Sequence, residues 1–150
     1  MGRVVTFAQL PANKTTGGTE SASITKGETR EMAAEYIRIP PGQRWTATAP
    51  RGSDCYLFML DGAGAILAAG GRHHFPAHAF AVVQEGIEFT VESDRGKPAS
   101  IIKVVAPPQP NNRSAAGFTG RSRSPNAKRR RCSICRTRKR SASISSMTPR

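Results

Sequence analysis

Two stretches bring together side chains that bind metals or carry out catalysis. In GRHHFPAH, His73, His74 and His78 stand close together, and the His-x-x-x-His spacing from His74 would set two imidazoles on one face of a helix. Pro76 lies between those two and strand-like runs flank the stretch, so a helix is not expected. The histidines read as a turn cluster, with a metal site on His73, His74 and His78 as the alternative. In AKRRRCSICRTRKR, at 127–140, Cys132 and Cys135 are set in a basic run; structural zinc takes four ligands and this pair supplies two. Ser53, Asp54 and a histidine would complete a hydrolase triad, but no nucleophile elbow accompanies them, and Asp54 after Gly52-Ser53 reads as turn chemistry. No catalytic residue and no cofactor follow from these stretches.

The formal charge of +13 suggests nucleic acid, and its location decides which part of the chain would bind it. Residues 1–110 hold 11 Lys/Arg against all 10 Asp/Glu, whereas residues 111–150 hold 12 Lys/Arg and no acid. A phosphate-binding role is therefore expected of the tail alone, through Arg121, Arg123, Lys128, Arg129, Arg130, Arg131, Arg136, Arg138, Lys139 and Arg140. Neither a signal-like apolar start nor a run longer than CYLFML is present, so no membrane partner and a cytoplasmic location are expected.

The middle of the chain must position whatever site exists. AEYIRIPPGQ, RWTATAP, CYLFMLDG, AILAAG, HHFPAHAFAVVQEG, IEFTVES and ASIIKVVAPPQP are short apolar or alternating runs punctuated by Gly, Pro and Asp. In IEFTVES, Ile87, Phe89 and Val91 share one face and Glu88, Thr90 and Glu92 the other, the period-two pattern of a half-buried strand. About eight strands at this spacing predict an all-β fold, a small barrel or sandwich over residues 32–107. Residues 1–31, rich in Thr, Ser and Gly, read as a partly disordered N-terminal arm. Residues 108–150 read as a disordered basic tail, because their few large apolar side chains cannot offset the entropy of ordering.

At PPGQRWTATAPRGSDCYLFMLDGAG the sequence resembles the cupin family, the jelly-roll barrels also called double-stranded β-helices. Gly42 and Gly62 fall on the two glycines of the first cupin motif, and Pro76 of PAHAFAVVQEG falls on the proline of the second. The resemblance implies a cupin-like β-barrel. In this register the metal-binding pair of the first motif falls on Thr48 and Pro50, its Glu on Cys55, and the second-motif His on Ala81. A divalent ion needs converging imidazole and carboxylate ligands, so a metal-free, non-catalytic domain is expected, a structural or small-molecule-binding half of what resembles a truncated two-barrel cupin. An unknown small molecule would meet Arg44, Trp45 and Tyr56 in the barrel mouth. A homodimer is expected, formed by strand exchange or sheet extension at exposed edges. The composition break in the tail also matches a GC-rich gene read out of frame; a nucleic-acid-binding arm and a metalloenzyme using the three histidines are the rival functions.

Overall fold

A computed structural model describes residues 4, 6–15, 17–25, 31–110 and 118–122. Eleven strands are present among them: β1 (Asn13–Lys14), β2 (Glu20–Ser23), β3 (Ala33–Ile39), β4 (Arg44–Thr48), β5 (Asp54–Asp61), β6 (Gly64–Ala68), β7 (Gly71–Phe75), β8 (Ala79–Val83), β9 (Glu88–Ser93), β10 (Ala99–Ala106) and β11 (Phe118–Ser122). They form an antiparallel seven-stranded sheet in the order β1-β2-β3-β10-β5-β8-β11 and a four-stranded sheet in the order β4-β9-β6-β7. The two sheets face each other across one core, the arrangement of a jelly-roll barrel.

Alternation builds that core. Ile37 and Ile39 from β3, Leu57 and Met59 from β5, Ala81 and Val83 from β8, and Ile101 from β10 meet Ile66, Phe89 and Val91 of the facing sheet. Each side chain points inward because its sequence neighbours point outward. The β5–β6 connection depends on Gly62, whose φ of +82° is left-handed and whose added Cβ would be driven into the Pro98 carbonyl oxygen and sit 3.1 Å from the Ala99 Cα. Its neighbour across the turn is β10, whose register shifts between Ser100 and Ile101.

Two segments depart from the sequence reading. Within 11–30, read as an arm, β2 pairs with β3 through Glu20↔Arg38 to Ser23↔Glu35, and β1 pairs with β2. Backbone pairing needs no apolar pattern, and the free edge of β3 supplies the partners; Ala22 and Leu10 are buried against it. Beyond Pro110, read as wholly disordered, Phe118–Ser122 pairs with β8 from Phe118↔Val83 to Ser122↔Ala79, covering an edge that would otherwise be open. No helix of the described residues is long and apolar enough to cross a membrane.

Candidate functional site

Period-two alternation decides which of the expected site residues share a compartment. Arg44 and Trp45 are successive residues of β4 and face opposite sides. Trp45 points into the barrel, packing edge-on against Phe89 at 5.6 Å between ring centroids. Arg44 points to the outside, where its guanidinium reaches the Glu92 carboxylate at 2.5 Å while Arg72 binds the other oxygen at 3.1 Å. Tyr56 lies on the outward face of the other sheet, 6.2 Å from the Phe80 ring. The expected trio therefore does not line one cavity, and Trp45 alone remains at the barrel interior.

The histidines separate in the same way. His73 and His74 alternate along the edge strand β7, opposite Ile66 and Ala65 respectively. His78 follows the Pro76 turn with a left-handed φ of +63°, its ring 6.4 Å from Phe58. Among the described residues, no three His, Cys, Asp or Glu side chains lie close enough to hold an ion. Of the nucleic-acid candidates, Arg121 takes the register position opposite Phe80; Arg123 and the basic residues from Lys128 to Arg140 lie outside the described residues.

What does converge inside the barrel is a group that the sequence reading passed over. Glu35 on β3 and Lys103 on β10 are cross-strand partners, and both share the inward phase of Ile37 and Ile101. Their charges pair at 2.5 Å with side chains 39% and 16% exposed, respectively. The Lys103 ammonium also stands 5.7 Å from the centre of the Trp45 ring, within reach of a cation–π attraction. Cys55 is buried one inward step along the wall from Leu57, the residue opposite Lys103. Burial pushes its thiol above the ordinary 9.0, Lys103 pulls it back, and Glu35 and Asp54 push it further up. No local signal marks this pair: ASIIKVVA is apolar in both phases, and the register with β3 and β5, not alternation within the strand, sets Lys103 inward.

The rim at this end is closed by hydrogen bonds between the β4–β5 and β8–β9 loops. Ala49 N–H donates to the Ile87 carbonyl at 3.0 Å and Gly86 N–H to the Ala49 carbonyl at 2.8 Å. Gly52 N–H donates to Glu85 Oε2 at 2.7 Å, and Glu85 N–H donates to Asp54 Oδ1 at 3.2 Å. Asp54, fully buried, thus ties the start of β5 to the β8–β9 loop through its Oδ1.

The positions that the family resemblance assigns to a metal are corrected in phase. Thr48 and Pro50 are exposed, whereas Ala47 and Ala49 are packed at the interior; Cys55 and Ala81 do face inward. Alanine offers no donor, and a single thiol held largely protonated by burial does not make a divalent-metal site. The residues present do not fit the metal usual to such barrels.

No family model matches the chain, and no curated protein matches it in sequence. Solved structures match it in shape. A predicted oxalate decarboxylase from Thermotoga maritima superposes with a TM-score of 0.63 at 15% identity, over 71% of this chain and 100% of that one. KdgF from Halomonas gives 0.60 at 12% identity over 74% and 98%. The cupin domain of Cnp3 from Schizosaccharomyces pombe gives 0.59 at 12% identity over 69% and 72%. At such identities the likeness is one of fold, and the fold of this chain is that of a cupin jelly-roll.

Proposed function

We propose that the chain is a metal-free, non-catalytic cupin-like module that holds a small molecule at the inner wall formed by Glu35, Trp45 and Lys103. The observation that carries this reading is the absence of any imidazole or carboxylate at the inward positions Ala47, Ala49, Cys55 and Ala81. In place of a metal, the wall offers a paired cation and anion beside an aromatic face, which suits a ligand with one polar end for Lys103 and one flat apolar surface for Trp45. Elemental analysis of the purified, dialysed protein tests it, followed by titration with zinc, manganese and nickel while reading Trp45, the only tryptophan in the chain. The expected result is much less than one ion per chain and no saturable change in fluorescence. A stoichiometric ion overturns the reading; if substituting His73, His74 and His78 together removes that ion, the three histidines are its ligands.

A second reading rests on charge. We infer that residues 111–150, with 12 Lys/Arg and no acid, give the chain a salt-dependent affinity for nucleic acid that the barrel does not share.

A further inference from the structure

The alternation that turns Leu57, Met59, Ala81 and Val83 into the barrel turns rings outward on the same two strands. On β5 and β8, Phe58 stands directly opposite Phe80, and Tyr56 opposite Val82. The Tyr56 and Phe80 rings lie 6.2 Å apart, and the His78 ring lies 6.4 Å from Phe58, so four rings form one patch. Val82, in the same outward phase, is buried. Phe80 is 39% exposed, His78 is exposed, and Tyr56 and Phe58 are half-buried, so the surface that solvent reaches here is aromatic. Arg121 of β11 takes the place opposite Phe80. The backbone leading into the basic tail therefore passes one strand spacing, about 4.8 Å, from the strand that bears that ring. Two acids of this sheet, Glu20 and Asp61, fall in the next row with Arg38 and Ser100, on the side of Phe58 away from Tyr56.

We propose that this patch is a stacking platform for the unpaired bases of a single-stranded nucleic acid. The inference rests on the nucleic-acid reading of residues 111–150 and deepens it by naming the kind of nucleic acid. Charge and rings divide the work. The tail, with 12 Lys/Arg and no acid, attracts phosphates whatever the sequence or strandedness. Aromatic side chains receive only bases whose faces are free, because in a duplex each face is covered by the neighbouring pair. The tail follows directly on β11, so a strand held by its charges is kept beside the rings at a high effective concentration. An acidic polypeptide would answer the same charge but offers no row of flat faces to four rings. The tail thus supplies the salt-dependent affinity, and the sheet supplies the preference for unpaired bases.

Fluorescence anisotropy of the full chain at physiological salt tests it, with a labelled single-stranded RNA of about 12 nucleotides and a blunt duplex carrying the same number of phosphates. The variants are F80A, which removes the exposed phenyl ring, and F80Y, which keeps a ring there. H78N removes a second ring and leaves a residue at ease in the left-handed backbone. T46A, on the outward face of the other sheet, is the control. Circular dichroism confirms that each is folded. The expected result is a single-strand dissociation constant raised about tenfold in F80A and severalfold in H78N. F80Y and T46A should match wild type, and all four variants should match it on the duplex. Single-strand affinity unchanged in both F80A and H78N, or an equal loss on single strand and duplex, overturns the platform and leaves the tail reading standing. A wild type that binds neither nucleic acid overturns both.

Discussion

Replacing Gly62 with alanine separates two costs that Gly52 allows to be measured apart. Both glycines are left-handed, with φ of +82° and +75°. A Cβ at Gly52 would meet nothing within 4 Å, whereas one at Gly62 would strike the Pro98 carbonyl and crowd Ala99. G52A therefore carries only the backbone term, about 1 kcal/mol for an L-residue held left-handed; the Gly52 N–H that binds Glu85 survives the change. G62A carries that term and must also push the start of β10 away, disturbing the ladder at Ser100↔Asp61. Loss of about one ladder bond and its packing adds about 2 kcal/mol, for a total near 3 kcal/mol. Urea unfolding gives the free energies, and thermal melts should place G62A about 10 °C below G52A. Equal stability of the two variants would refute the claim that close approach, and not backbone handedness, fixes glycine at this turn.

Cys55 supplies a pH test. Its thiol is raised by burial, so the native state keeps it protonated while the unfolded chain ionises near 9.0; stability is full below that pH and falls as pH rises beyond it. The slope approaches about 1.4 kcal/mol per pH unit for one proton, and C55A should lack this component in urea titrations between neutral and alkaline pH. E92Q removes the shared partner of Arg44 and Arg72, whose side chains are 71% and 66% exposed. Solvent screening holds the cost under about 1 kcal/mol, and it should shrink further in high salt; a salt-independent loss would show that Glu92 does more than pair charges. Truncation after Ser122 should abolish nucleic-acid binding at physiological salt in a filter or fluorescence assay and leave the melt unchanged. Truncation after Pro110 should lower stability as well, since it strips β11 from the edge of β8.

The strands most legible in the sequence were those with one wet face. β9 announces its phase because Phe89 and Val91 alternate with Glu88, Thr90 and Glu92, and the structure buries the first set. CYLFMLDG declares a strand but conceals its faces, because Tyr56 and Phe58 are as apolar as Leu57 and Met59; nothing local shows that Tyr56 points away from the barrel. RWTAT fails in another way: small residues on both sides leave the phase to be set by Trp45, and counting from the motif glycine put Thr48 inward where the sheet puts Ala47. β1, β2 and β11 are held by backbone pairing, the first two to neighbouring strands and β11 to the distant β8, so their own residue types carry little trace of them. The Glu35–Lys103 pair is hidden for the same reason as Tyr56: ASIIKVVA is apolar on both faces, so pairing with β3 and β5, not local alternation, turns Lys103 inward.

The four hydrogen bonds between the rim loops bear on timing. Because Gly52, Asp54, Glu85 and Gly86 fasten one loop to the other, the ordering of this rim is completed when the barrel folds. Amide exchange at this rim therefore reports the parting of the two loops.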